Sequence, residues 1–178
     1  MDNNILSEMQ SRRSIRSYKP DMLPTDVIDS IVTAGTYAAS GMNRQSSIIL
    51  AITSREMRDR LSALNASIMG RSGDPFYGAP VVLVVLADKK CPTYLYDGSL
   101  VMGNLMLAAH SLGIGSCWIH RAKEEFELPE GKAILDELGI VGDYEGIGHC
   151  ILGYVDGEYP PVLDRKDGRI YRIDQGIS

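Results

Sequence analysis

A run of nine apolar residues, Ala79–Ala87, constrains the fold of this 178-residue chain more than any other segment. The run reads APVVLVVLA and contains no polar position. It is about half as long as the ~18 residues that a helix needs to cross a bilayer, so no membrane span is expected. A short continuous apolar run is typical of a fully buried strand. The chain is therefore predicted to build its core around a strand at this position.

The rest of the chain alternates between helix and strand signals. Apolar residues recur at helical spacing after Thr25, which suits an N-cap, and Ser54 and Asp97 are further candidate caps. Gly113 suits the left-handed residue that ends a helix. Helices are predicted over residues 3–12, 25–39, 55–70, 97–112 and 130–138, and strands over 47–53, 81–86, 116–120 and 146–155. This mixed order predicts a helix-covered sheet of the α+β class.

The helix predicted behind Asp97 is apolar around nearly its whole circumference, which predicts burial on all sides. The tail from Glu158 is predicted to be extended and locally basic. A buried helix together with long extended ends suggests that a partner subunit supplies part of the cover. The pattern is compatible with a dimer and does not require one.

Composition and charge exclude several classes of protein. A net charge of -5 and a pI near 5.2 argue against general affinity for nucleic acid. The three cysteines have no C-x-x-C spacing, and three histidines are few for a structural zinc site. The first residues, MDNNILSEMQ, lack the basic and apolar regions of a secretory signal. We expect a single domain over residues 1–178 of a cytoplasmic protein with reduced thiols and no bound metal.

Two basic clusters, Arg12–Lys19 and Arg165–Arg169, stand near opposite ends of this acidic chain. Arginine forks match phosphate oxygens in a bidentate manner, and a serine hydroxyl adds a neutral donor. The two clusters could therefore meet around one phosphate. Charge alone leaves the alternative that both are solvated surfaces. No Walker loop, and no G-x-G-x-x-G behind a strand, competes for a phosphate.

The segment Ala38–Ser47, AASGMNRQSS, gathers small and amide side chains directly after a predicted helix. Asn43 and Gln45 each present a donor and an acceptor, which suits the edge of a heterocycle that carries both. The alternative is that these side chains only cap the loop.

Five segments occur in one order: SRRSIRSYKP, AASGMNRQSS, GAPVVLVV, DGSLVMGNLMLAAHSLGIGSCWI and GHCILGYVDGEYPPVLDRK. Together they resemble the FMN-dependent nitroreductase family over nearly the whole chain. The resemblance implies an α+β fold with a central, mainly antiparallel sheet covered by helices. It also implies an intertwined homodimer, whose extended termini wrap around the partner and whose interface holds two FMN molecules.

The resemblance also assigns cofactor contacts to residues of this chain, while it names no catalytic side chain. Residues near the two ends would bind the phosphate and ribityl chain: Arg12, Arg13, Ser14, Arg165 and Lys166. Arg16 would face N1 and O2 of the flavin, where its charge stabilises the reduced ring. The remaining ring contacts would come from a loop of the other subunit and from one strand near N5: Ser40, Gly41, Met42, Asn43, Gln45, Trp118, Ile119 and His120. His120 either donates a proton or only lines the pocket, and Met69 and Arg71 are further candidates near the ring.

The activity that the resemblance implies is an NAD(P)H oxidoreductase. Hydride would pass from NADH or NADPH to flavin N5, and then to a nitroaromatic or quinone acceptor, by a ping-pong mechanism. The same fold could instead serve dehalogenation, flavin destruction or oxidation of a peptide-derived substrate. A flavin-binding sensor without turnover is a further alternative, and an acidic dimer without a cofactor is the last.

Overall fold

The chain folds around a four-stranded antiparallel sheet with the strand order β1-β2-β4-β3, as a computed structural model describes it for residues 4–173. The strands are β1 (Ser47–Ile52), β2 (Val81–Asp88), β3 (Gly115–Ile119) and β4 (Tyr144–Gly153). The helices are α1 (Asn4–Ser11), α2 (Thr25–Thr36), α3 (Arg55–Met69), α4 (Tyr94–Ser111), α5 (Ala122–Glu127) and α6 (Pro129–Glu137), and a 3-10 turn spans Gly41–Asn43. The predicted α+β class with an antiparallel sheet is confirmed.

The apolar run of the sequence forms β2, a central strand that is buried on both faces. Val82, Val84 and Leu86 pack in a core that includes side chains of α3, α5 and α6. Val81, Leu83 and Val85 point to the opposite face, into a second core with side chains of α2 and α4. Because successive side chains of a strand alternate between faces, an unbroken apolar run places a helical layer on each side of the sheet.

The N-terminal segment extends the sheet beyond β3. Ser14 bridges to Ser116 in parallel, and Ile15 donates its backbone N–H to Ser116 O at 2.9 Å. Tyr18 forms a second bridge, antiparallel, to Val155, and its hydroxyl donates to Ile15 O at 2.8 Å. The first basic cluster therefore lies along the β3 edge, while β1 forms the other edge of the four strands.

Two of the predicted helix caps are wrong, and one is confirmed. Thr25 is the first residue of α2, and Pro24 takes the cap position, where its fixed φ of -58° suits a chain entering a helix. Asp97 lies inside α4, which begins at Tyr94, and it is buried. Ser54 does cap α3, because its hydroxyl accepts the N–H of Met57 at 3.4 Å.

The apolar helix α4 is only partly covered within one chain. Val101, Met102 and Leu105 are buried against the sheet, whereas Leu100 is 50% exposed. The predicted burial on all sides is thus incomplete in a single subunit. The partner that would complete it stays a prediction.

Candidate active site

Unpaired donors gather along the β3 edge. Arg12 Nη1, Arg13 Nη2 and Ser116 Oγ are buried and have no hydrogen-bond partner among residues 4–173. An unpaired buried donor costs about 1–3 kcal/mol, more when it is charged. The donor set therefore fits an anionic ligand with several oxygens, such as a phosphate.

Arg13 and Arg12 differ in the hydrogen bonds that their guanidinium groups make within the chain. Arg13 donates through Nη1 to the carbonyl oxygens of Gln10 and Arg12, at 2.8 and 2.6 Å. Its Nε donates to Pro161 O at 3.1 Å, which ties the C-terminal tail to this segment. No such contact engages the Arg12 guanidinium within the described part of the chain. Arg12 is therefore the better placed of the two for a ligand.

A cavity of about 410 Å³ opens beside β3. It brings together six of the residues that the sequence singled out: Arg16, Met69, Arg71, Trp118, Ile119 and His120. Gly148 lies against the indole of Trp118, where a Cβ would overlap Nε1, so this tryptophan is packed on the sheet. Arg16, Arg71 and His120 are exposed at the cavity. This arrangement provides a wall formed by β3 and a rim that carries two guanidinium groups and one imidazole.

A buried polar network holds the turn after β3. Asn65 Nδ2 donates to His120 O at 2.9 Å and also contacts Glu125 Oε1. Arg121 Nε donates to Asn65 Oδ1 at 3.0 Å, and Arg121 has a left-handed φ of 80°. Glu125 Oε2 lies 2.9 Å from His149 Nε2, and both side chains are fully buried. Non-glycine residues rarely adopt positive φ, so Asn65 and its partners fix a conformation that the turn alone does not favour.

A second anchor fixes the loop that faces this turn across the cavity. Asp74 accepts hydrogen bonds from Ser62 Oγ at 2.6 Å and from the backbone N–H groups of Phe76 and Gly78 at 2.9 and 2.7 Å, and it pairs with Arg58 Nη2. Burial by itself raises the pKa of Asp74, but the hydrogen bonds from Arg58 and Ser62 outweigh it and bring the pKa below its ordinary value. Both carboxylate oxygens are thus engaged inside the protein.

The loop predicted to reach a flavin lies at the other edge of the sheet, before β1. Met42, Asn43 and Gln45 all have left-handed φ values, of 54°, 54° and 49°. Asp97 anchors this strained loop by accepting from Gly41 N at 3.0 Å and from Ser46 Oγ at 3.2 Å. Burial raises the pKa of Asp97, but these hydrogen bonds and one from Thr93 bring it below its ordinary value.

The two predicted halves of the site do not meet within one chain. Ser40 and Gln45 line a separate cavity of about 290 Å³. β2 and β4 lie between the β1 edge and the β3 edge, which at ~4.8 Å per strand keeps the halves more than ~10 Å apart. Arg165 and Lys166 are exposed and form no hydrogen bond or ion pair with the other described residues.

His149 and His110 take structural positions, and the cysteines are buried. His149 is buried in the sheet, as predicted, and His110 is half-buried, with Nε2 2.8 Å from Ser11 Oγ and Nδ1 3.0 Å from Tyr159 OH. Burial raises the pKa of the Cys117 and Cys150 thiols. Over residues 4–173 there is no group of three potential metal ligands, and no helix is long and apolar enough to span a membrane.

Sequence reasoning missed the side chains that position the cavity. Asn65 and Glu125 carried no signal, because each is an ordinary helical residue that meets its partner only in the fold. The sequence analysis did single out Asp97, but as a helix cap, whereas its carboxylate anchors the loop before β1.

Comparisons with known proteins agree with this geometry. The family model described as "Nitroreductase family" matches residues 9–156. A relative from Archaeoglobus fulgidus, whose name combines NADH dehydrogenase and NAD(P)H nitroreductase, is 31% identical over 158 residues, which is 86% of each chain. A similarly named relative from Methanothermobacter thermautotrophicus is 30% identical over 119 residues, and the match spans only 60% of its length.

Solved structures give the same answer. A nitroreductase with bound FMN from Bacteroides fragilis is 29% identical with a TM-score of 0.87, and the match covers 97% of this chain and 100% of that one. A nitroreductase with bound FMN from Desulfitobacterium hafniense is 27% identical with a TM-score of 0.86 at the same coverage. With the family match over most of its length, the chain belongs to the nitroreductase family.

Proposed function

We propose that this protein is an FMN-dependent NAD(P)H oxidoreductase. The observation that carries the proposal is the pair of unpaired buried donors along the β3 edge, Arg12 Nη1 and Ser116 Oγ. Cys117 and Trp118, the residues that follow Ser116 in β3, line the cavity. A phosphate oxygen would satisfy these donors. The two FMN-bound structures that match nearly the whole chain support FMN as the source of that phosphate.

Arg12 and Ser14 would hold the phosphate end, and Arg16 would face the pyrimidine side of the ring. Bound FMN would supply the two-electron chemistry, taking hydride from NAD(P)H and passing it to an acceptor. The exposed Arg16 guanidinium has no ion pair among the described residues, so its charge is available to stabilise negative charge that develops near N1. A charge-assisted contact of about 1.4 kcal/mol corresponds to roughly 30 mV in a two-electron potential.

The cavity residues around the ring would exclude water and orient the acceptor. Trp118 and Ile119 provide a packed wall, and the Asn65 network fixes the backbone of His120 and Arg121. His120 is exposed at the rim, where it can donate a proton or simply line the pocket. Nitroaromatic or quinone acceptors that alternate with NAD(P)H in this one cavity would give ping-pong kinetics.

A homodimer would complete the site. One chain carries the basic segment at its β3 edge and the Ser40–Gln45 loop at its β1 edge, so a second copy is needed to bring the two together. Apolar side chains stand exposed in the single chain, as a subunit interface requires: Leu100, Val162, Leu163, Ile170 and Tyr171. Two FMN molecules between two subunits, with the tails crossing to the partner, would account for both features.

Substitution of Arg12 tests the proposal. Arg12→Ala is expected to lose FMN during gel filtration, because it removes a phosphate partner, while Arg55→Ala on the distant surface of α3 retains it. In the wild type, NADH or NADPH should bleach the bound flavin without oxygen, and a nitroaromatic should restore its colour. Wild-type protein that binds no FMN, or that is never bleached by either nicotinamide, contradicts the proposed activity. FMN retention in Arg12→Ala equal to the wild type contradicts the phosphate site.

A further inference from the structure

The β3 cavity carries more positive charge than its proposed cofactor uses. Arg16, Arg71 and Arg121 line it together with His120, and Asp74 is the only carboxylate among its lining residues in the described chain. Asp74 is already paired with Arg58, and it forms no ion pair with Arg16, Arg71 or Arg121 among the described residues. With Arg16 assigned to the ring, two guanidinium groups remain.

Both remaining arginines have free donor atoms. Arg121 uses Nε to bind Asn65 Oδ1 at 3.0 Å, and its two terminal nitrogens have no partner within residues 4–173. The Arg71 side chain forms no hydrogen bond or ion pair within the same residues, and it is exposed at the cavity.

Each of these arginines stands on a fixed piece of backbone. Arg71 follows Gly70, whose left-handed φ of 66° ends α3, and Arg71 N donates to Ala66 O at 3.2 Å. The chain beyond it is anchored at Asp74. Arg121 is held in its left-handed conformation by Asn65, a fully buried residue. The two guanidinium groups thus reach the same cavity from the end of α3 and from the β3–α5 turn.

We propose that Arg71 and Arg121 form a binding seat for an anionic group on the molecule that exchanges electrons in this cavity. Two guanidinium groups with free forks match the oxygens of a carboxylate or a phosphate. The anion has two possible sources, the carboxylate of an aromatic acceptor and the phosphate of the nicotinamide dinucleotide. This inference rests on the proposed function, since it takes the β3 cavity as the site of electron exchange.

The test compares acceptors of similar size that differ in charge, para-nitrobenzoate and para-nitrobenzyl alcohol, with FMN-loaded protein. If the acceptor supplies the anion, Arg71→Gln and Arg121→Gln each raise KM for the nitrobenzoate by about tenfold, the effect of one lost charge-assisted contact. Arg71→Gln, which removes no contact of the fold, leaves KM for the alcohol unchanged. If the dinucleotide supplies the anion, KM for NADH or NADPH rises instead, and the ratio of the KM values for nitrobenzoate and nitrobenzyl alcohol stays constant. Arg55→Gln, on the surface of α3, is the matched control and changes neither.

A binding measurement separates this seat from the proposed activity. Calorimetry with benzoate, which cannot be reduced, should show binding that exceeds that of benzyl alcohol, weakens at high salt and is lost in Arg71→Gln. Arg121→Lys keeps the charge without the fork, and it should bind benzoate more weakly than the wild type if the seat is bidentate. Protein that binds benzoate but reduces no acceptor refutes the activity and leaves the seat intact. If KM for every substrate stays within about twofold in both glutamine variants and benzoate binding is unchanged, the seat does not exist.

Discussion

Replacement of Glu125 by alanine should destabilise the protein strongly. Glu125 Oε2 lies 2.9 Å from His149 Nε2, Glu125 Oε1 contacts Asn65 Nδ2, and both partners are fully buried. Because a carboxylate can only accept, His149 Nε2 carries the hydrogen that it donates to Glu125, while Nδ1 lies 3.4 Å from Ile119 O. Without the carboxylate, Asn65 Nδ2 loses one of its two acceptors, and His149 Nε2 loses its one partner among residues 4–173.

The size of the effect follows from the burial of the pair. A buried polar group left without its partner costs about 1–3 kcal/mol, and Glu125→Ala leaves His149 Nε2 and one N–H of Asn65 unpaired, so we expect a loss of about 2–5 kcal/mol. For a domain of this size that lowers the melting temperature by roughly 2–4 °C per kcal/mol. Glu125→Gln should lose less than half as much. Its amide oxygen can accept from Asn65, and its NH₂ can donate to a neutral His149.

Urea unfolding followed by the fluorescence of Trp118, the single tryptophan, measures these differences. All variants are compared at one protein concentration, since stability of a dimer depends on it. Glu127→Ala, on the exposed side of the same helix, is the control and should stay within about 0.5 kcal/mol of the wild type. If Glu125→Ala falls within about 1 kcal/mol of the wild type, or if glutamine costs as much as alanine, the pairing described here is wrong.

Two further predictions concern the aspartates that anchor the loops. Asp97→Ala should release the strained loop Gly41–Gln45, so that trypsin cleaves after the exposed Arg44 faster than in the wild type. The surface variant Asp29→Ala is the control and should be cleaved at the wild-type rate. Equal cleavage rates in Asp97→Ala and the wild type would contradict the anchoring role. Asp74 has a folded pKa below its unfolded value of about 3.9, so the stability it adds is present above that pH and is lost as the pH falls through the folded pKa. The wild-type advantage over Asp74→Asn in unfolding free energy should therefore shrink below about pH 4, and a gap that stays constant on acidification would refute the assignment.

The elements that the sequence predicted well are those fixed by local pattern. β2 was recognisable because every position from Val81 to Ala87 is apolar, and both of its faces are indeed covered. α3 was recognisable because Ser54 and Gly70 mark its two ends. α5 was not predicted, because it has only six residues and Arg121, in the N-cap position before Ala122, makes no side-chain cap and has a left-handed conformation that no local rule favours.

In the candidate site, too, the residues in local motifs were predictable from the sequence and those joined by long-range contacts were not. The residues that would touch the cofactor stand in recognisable local segments, and the structure gathers Arg16, Trp118 and His120 at one cavity. The residues that position them are joined over long separations. Asn65 and Glu125 are 60 positions apart in the chain, and Gly41 and Asp97 are 56 apart. A single sequence holds no record of such pairs, because nothing local distinguishes a helical carboxylate that binds a distant loop from one that faces water.

Some of these residues are exposed donors and others are buried anchors. This difference determines whether a substitution changes ligand binding, stability or both. The Arg71 side chain donates no hydrogen bond to the described fold, so its removal acts on a ligand with little effect on folding. Glu125 and His149 are fully buried, so changes there act on the position of the β3–α5 turn and on stability together. Arg121 belongs to both groups, since its Nε donates to Asn65 while the residue also lines the cavity. A loss of anion binding in Arg121→Gln therefore identifies the seat only when Arg71→Gln, which leaves the anchor untouched, shows the same loss.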